Sequence, residues 1–181
     1  MKTFVGIDLG STTTKAVLLD ENSEVIGRGI TNSRSNYSTA ARVAEQEARI
    51  DARFTVFRRA LKETDGFKSR LDEFLGALER AFRLEQFLEQ LADLEHTCLG
   101  HISGERFAKC EGAVKEALGE VFARLRAEAP ALYAPGAKRK SDFFRDIAGS
   151  RYHAHAEEIA RGSHGTLRSF DQSVRQIDHR R

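Results

Sequence analysis

The chain has 181 residues, with 29 lysines and arginines against 27 aspartates and glutamates, for a formal net charge of +2. That length suits one compact domain or two small lobes, and the balanced charge argues against a dedicated nucleic-acid binder, which needs a basic excess. No apolar run approaches the ~20 residues that cross a bilayer, no basic-then-apolar leader opens the chain, and two cysteines cannot frame a disulfide scaffold, so a cytoplasmic setting is expected.

Residues 3–8, 15–20 and 24–30 are short runs rich in β-formers. Gly10-Ser11-Thr12-Thr13 joins the first pair and Asp20-Glu21-Asn22-Ser23 the second. Such runs, punctuated by Gly, Asn, Asp and Ser, predict consecutive hairpins and hence a three-stranded antiparallel meander. From Ser38 the period turns helical. Val43, Ile50, Phe54, Phe57 and Leu61 make one apolar stripe, with Ser38 as the expected N-cap and Asp65-Gly66 as the stop. A second run places Phe67, Leu71, Phe74, Leu75, Leu78, Phe82, Leu88, Leu91 and Leu94 on one face, and Gly100 is expected to end it. The third starts near Ser103, carries Phe107, Val114, Leu118, Val121, Phe122 and Leu125, and is expected to stop before Pro130. Beyond Pro135, Ser141-Asp142 caps a shorter run through Phe143, Phe144 and Ile147, with an interruption expected at Gly149-Ser150. Residues 162–165 set off a last stretch.

Each stripe must be buried against another element, and an antiparallel helical bundle with short turns meets that need. The expected fold class is α+β: residues 1–37 form the β part and residues 38–181 a helical region. The basic groups Lys138-Arg139-Lys140 and Arg180-Arg181 read as solvated charge. Cys98 and Cys110 fall among apolar helix positions and are expected to pack as small hydrophobes. His96, Cys98 and His101 straddle a helix end without a fourth ligand, which argues against zinc. His153 and His155 point to different helix faces and read as solvated, Asp142 as a helix-end residue and Asp146 as a surface acid.

Chemistry concentrates in Gly6-Ile7-Asp8-Leu9-Gly10-Ser11-Thr12-Thr13-Thr14-Lys15. Asp8 ends an otherwise apolar strand, where a desolvated carboxylate calls for a cation or donors. Hydrated Mg²⁺ is one answer, since it takes one or two carboxylates together with waters and phosphate oxygens. Gly10 allows a sharp turn and close approach of a ligand. Ser11, Thr12, Thr13 and Thr14 offer hydroxyls and backbone donors, and Lys15 a positive charge. Together they outline a polyphosphate cradle on a hairpin, unlike the Walker loop, which leads into a helix. The plain alternative is a polar turn between two strands.

Asp8 to Lys15 resembles the first phosphate motif of the superfamily that holds acetate kinase, sugar kinases, the heat-shock chaperone ATPases and actin. The wording Gly-Ile-Asp-Leu-Gly-Ser-Thr-Thr-Thr-Lys is similar to the ATPase family of benzoyl-CoA reductase subunits and 2-hydroxyacyl-CoA dehydratase activators. Arg28-Gly29-Ile30-Thr31-Asn32-Ser33-Arg34-Ser35-Asn36-Tyr37 resembles the segment after the third strand in the larger ATP-binding subunit of class I benzoyl-CoA reductase. Leu78-Glu79-Arg80-Ala81-Phe82-Arg83-Leu84, Asp93-Leu94-Glu95 and the run from Ser141 to Ser150 resemble other stretches of that subunit. It carries a helical insertion that the dehydratase activators lack.

The resemblance implies an actin-like, ribonuclease-H-like ATPase lobe that binds ATP and magnesium through Asp8, Gly10, Ser11, Thr12, Thr13, Thr14 and Lys15. It implies ATP hydrolysis that drives low-potential electrons from ferredoxin toward the subunits that dearomatise benzoyl-CoA. It implies as partners a second ATPase subunit and the benzoyl-CoA-binding subunits, with a four-iron–four-sulfur cluster shared by the ATPase pair. The family's second phosphate motif, adenosine-binding glycines and cluster cysteines have no counterpart here, so the expectation is an N-terminal portion of the subunit with little turnover alone. Two other readings stand beside this one: a dehydratase activator, and a non-catalytic helical interaction module with a purely structural hairpin.

Overall fold

The computed structural model describes residues 2–33, 36–64, 66, 69–102, 107–139, 141 and 143–162. Arg34, Ser35, Asp65, Phe67, Ser103, Lys140, Asp142 and residues 163–181, with Arg180 and Arg181, lie outside the described residues.

Three strands, β1 (Phe4–Leu9), β2 (Thr13–Leu19) and β3 (Val25–Asn32), form an antiparallel sheet in the order β1-β2-β3. Four helices come after them: α1 (Tyr37–Lys62), α2 (Leu71–His101), α3 (Glu111–Leu132) and α4 (Phe144–Gly162). The fold is α+β, as the sequence predicts. None of these helices is long and apolar enough to cross a membrane, among the described residues.

The turn between β2 and β3 is built around Asp20, whose Oδ1 accepts the backbone N–H of Asn22 at 2.9 Å and of Glu24 at 3.0 Å. Ser23 takes the left-handed conformation there, at φ 64°. A small polar residue bears that conformation at modest cost, whereas a β-branched one would not.

Helix α1 begins two residues before the expected Ser38. Asn36 is the N-cap, and its side chain accepts the Thr39 N–H at 2.9 Å. Its buried face also differs from the expected stripe. Ala40, Ala44, Ala48, Ile50 and Ala52 are buried, whereas Val43 and Phe57 stay 39% and 40% exposed. The reason lies in β3. A Cβ added to Gly27 would sit 2.1 Å from the Ala48 carbonyl oxygen, and one added to Gly29 would sit 2.0 Å from that of Ala44. Helix and strand backbones therefore touch, and only alanine on one side with glycine on the other leaves room. Ala16, Leu18 and Ile26 complete this small core with Ala44, Ala48 and Ala52. Polar ties fix the placement: Asp51 Oδ2 accepts the Arg28 N–H at 2.8 Å, and Arg59 reaches Asp20 at 3.4 Å and Glu24 at 3.2 Å.

Compactness divides the chain between Glu79 and Arg80. The change of period near residue 37 marks where strand gives way to helix, but α1 packs on the sheet and shares its compact unit.

In the second unit the end of α2, then α3 and α4, enclose a core of Phe87, Leu91, Val114, Leu118, Val121, Phe122, Leu125, Ile147, Tyr152 and Ile159. The pairing of partners shows the antiparallel arrangement. Along α2 and α3, Phe87 meets Tyr133 at a ring separation of 5.7 Å while Glu95 bridges Arg126 at 2.6 Å. Along α3 and α4, Arg124 bridges Glu158 at 2.8 Å while Glu128 pairs with Arg151. The expected bundle is thus present with α2, α3 and α4 as its members, and α1 is not one of them.

Several helix ends differ from expectation. Helix α2 continues through Gly100, where a glycine costs only about 1 kcal/mol against alanine. Helix α3 starts at Glu111, after Phe107 and with Cys110 at the N-cap, and includes Pro130 in its last turn. There proline forfeits one ladder bond shortly before the helix stops. Helix α4 runs unbroken through Gly149 and Ser150. Its approach is shaped by Ser141, whose Oγ accepts the Phe143 N–H at 3.1 Å and donates to half-buried Asp146 at 3.0 Å. Arg139 donates to the Leu132 carbonyl at 3.1 Å and stacks 4.6 Å over Tyr133, closing α3. His153 is exposed, but the His155 side chain is only 14% exposed and faces Glu128 at 3.1 Å. The turn from α3 to α4 brings that face inward, which spacing along one helix could not reveal.

Candidate functional site

The hairpin between β1 and β2 is closed by the Gly10 N–H, which donates to the Thr13 carbonyl at 3.1 Å and leaves Ser11 and Thr12 at the tip. A Cβ on Gly10 would lie 2.6 Å from that same carbonyl oxygen, so the closure requires glycine. Ser11 and Thr12 are exposed, Gly10 and Thr13 half-buried.

Asp8 lies directly opposite Lys15 in the ladder. Paired residues share a face, with Cβ atoms about 5 Å apart. Strand alternation sends Thr14, Ala16 and Leu18 of β2 toward α1, where all three are buried, so Asp8 and Lys15 occupy the other face. Both are exposed. The desolvation argument for a cation at Asp8 therefore loses its premise: water already solvates this carboxylate.

Thr14 is placed differently from its neighbours in the motif. It is 0% exposed, and its hydroxyl lies 2.8 Å from the hydroxyl of Ser33, itself 2% exposed. The Ser33 N–H also donates to the Thr12 carbonyl at 3.0 Å. Sequence reasoning does not single out Ser33, because one serine in a polar run after a strand carries no periodic signal. Only the pairing of β2 with β3, Thr14 opposite Thr31, brings it under the turn.

The donor set fits one side of a magnesium-bound triphosphate. Exposed hydroxyls and an ammonium suit phosphate oxygens, and one carboxylate suits a hydrated Mg²⁺. It does not fit an iron–sulfur cluster. Among the described residues no three His, Cys, Asp or Glu gather as metal ligands would. Cys98 and Cys110 instead pack against the bundle core, and Tyr152 beside it has its phenol pushed above the usual range by burial and by the Cys98 thiol. His101 Nδ1 lies 2.7 Å from the Thr97 carbonyl, and His96 is exposed.

A meander that opens on a hydroxyl-lined hairpin and leads into helices is consistent with an actin-like ATPase lobe. Residues 5–130 match the model of the BadF/BadG/BcrA/BcrD ATPase family, and the chain belongs to that family. No curated protein and no solved structure matches it. ATP and magnesium are the ligands this family implies.

Proposed function

We propose that this chain forms the phosphate-gripping part of an ATPase subunit that couples ATP hydrolysis to low-potential electron transfer from ferredoxin, for reductive dearomatisation of benzoyl-CoA. The family match supports this most, because it runs from β1 through α1 and α2 into α3 and so takes in the helices together with the hairpin. Of those helices, α2 carries stretches that resemble the larger ATP-binding subunit.

In this reading Ser11, Thr12 and Thr13 present hydroxyls and backbone groups to the phosphates, and Lys15 supplies a positive charge on the same sheet face as Asp8. Asp8 would hold a hydrated magnesium ion through its exposed carboxylate. Magnesium, when bound, offsets the charge of the triphosphate. Gly10 keeps the turn tight, and Thr14 supports it from beneath. The partners are a second ATPase subunit and the benzoyl-CoA-binding subunits, and the four-iron–four-sulfur cluster belongs to the ATPase pair.

The test is ATP-dependent electron transfer in the reconstituted complex, with reduced ferredoxin and benzoyl-CoA. Asp8→Ala is expected to lower the rate by about 10²-fold or more, the scale seen when one preorganised electrostatic contact is lost. Helical circular dichroism should stay unchanged. Full activity in that variant would sink the proposal, and turnover with a 2-hydroxyacyl-CoA in place of benzoyl-CoA would transfer the subunit to the dehydratase systems.

A further inference from the structure

We infer that Ser33 is a positioning residue for the phosphate-facing turn, acting through Thr14 and Thr12; the inference rests on the reading that this turn binds nucleotide. Two contacts from one residue bracket the tip. The Ser33 N–H holds the Thr12 carbonyl at 3.0 Å, and the Ser33 hydroxyl meets the Thr14 hydroxyl at 2.8 Å. The first fixes the backbone of a tip residue, and the second fixes the residue two places on, where the chain re-enters β2. Both hydroxyls are buried, so water cannot replace either partner. The arrangement leaves Ser11 and Thr12 exposed, with the Thr12 backbone held from behind. A turn held in this way presents its donors to a ligand without first losing conformational freedom, which is how preorganisation raises affinity.

The β2–β3 ladder alone would hold Thr13 against Asn32 and Thr14 against Thr31. It does not reach Thr12. The Ser33 N–H extends the grip by one residue, onto the tip itself, and the Ser33 hydroxyl, tied to buried Thr14, keeps that N–H in place.

The 181-residue chain, labelled for NMR and titrated with Mg-ATP, tests this. Ser33→Ala is expected to weaken Mg-ATP binding by about 5-fold or more and to speed exchange of the Gly10 and Ser33 amides. Ser33→Thr, which keeps the hydroxyl, should restore both. The double variant Thr14→Val with Ser33→Ala removes both hydroxyls and should recover part of the thermal stability without recovering affinity, an outcome that a purely structural role does not give. If the wild-type chain shows Mg-ATP shifts at residues 10–13 and Ser33→Ala binds as tightly, the positioning role is wrong. If the wild-type shifts fall elsewhere and residues 10–13 stay still, the nucleotide reading of the hairpin fails, and the role of Ser33 fails with it.

Discussion

Thr14 places a hydroxyl where the alternation of β2 calls for an apolar side chain, between the buried pair Ala16 and Leu18 and the turn. Its partner Ser33 makes that tolerable, so removing either hydroxyl strands the other. Thr14→Val is expected to cost about 1–3 kcal/mol, read as a shift in the urea midpoint, with part recovered when Ser33→Ala is added. Asp20 gives a second test at this scale. Burial works to raise its carboxyl, but the Glu24 and Asn22 amides and the Arg59 guanidinium outweigh that and hold it below its ordinary value of 3.8. The native chain therefore binds fewer protons in acid than the unfolded one. The stabilisation is complete above the unfolded carboxylate range and is lost as pH falls through the lowered native value. Urea midpoints taken between about pH 5 and pH 2 should fall steeply in the wild type and less so in Asp20→Asn. Of the seven residues expected at the phosphate turn, the positions are legible in the sequence but the burial is not. Asp8 and Thr14 differ in exposure because β1 is an edge strand exposed along its whole length, whereas β2 lies between β1 and β3 and has one face covered by α1.

At the scale of elements the strands are readable because their β-branched runs are short and bounded by turn residues. The face of α1 is not. Valine and phenylalanine draw the eye, whereas the contact that matters uses alanines set against two glycines. Gly29→Ala should cost about 1–3 kcal/mol by overpacking, since its new methyl would meet backbone that cannot swing aside. Gly149→Ala makes the opposite case. Nothing lies within 4 Å of the added Cβ in mid-α4, so the change should stabilise by about 0.5–1 kcal/mol. Thermal melts of the two variants should move in opposite directions. Helix ends mislead for a related reason: Gly100, Gly149 and Pro130 each carry a local penalty that packing of the bundle outweighs.

For the whole molecule, three long amphipathic segments predict one bundle, and the chain instead divides its helices between two compact units. No periodicity announces this, because a stripe says only that a face will be buried and not what will cover it. In the second unit Phe122 is fully buried at the centre of the core. Phe122→Ala should cost about 3–5 kcal/mol, visible as faster amide exchange along α3 and α4. The alanine ladder of α1 bears on how the first unit chooses its arrangement. Ala40, Ala44, Ala48 and Ala52 recur every four residues, so sliding the helix by about 6 Å would set methyl upon methyl as before. Small-residue packing of this kind is nearly indifferent to such a shift, like a ratchet whose teeth are all alike. The Asp51–Arg28 hydrogen bond and the reach of Arg59 to Asp20 and Glu24 act as the pawl. They single out one notch, and with it the seating of α1 on the sheet.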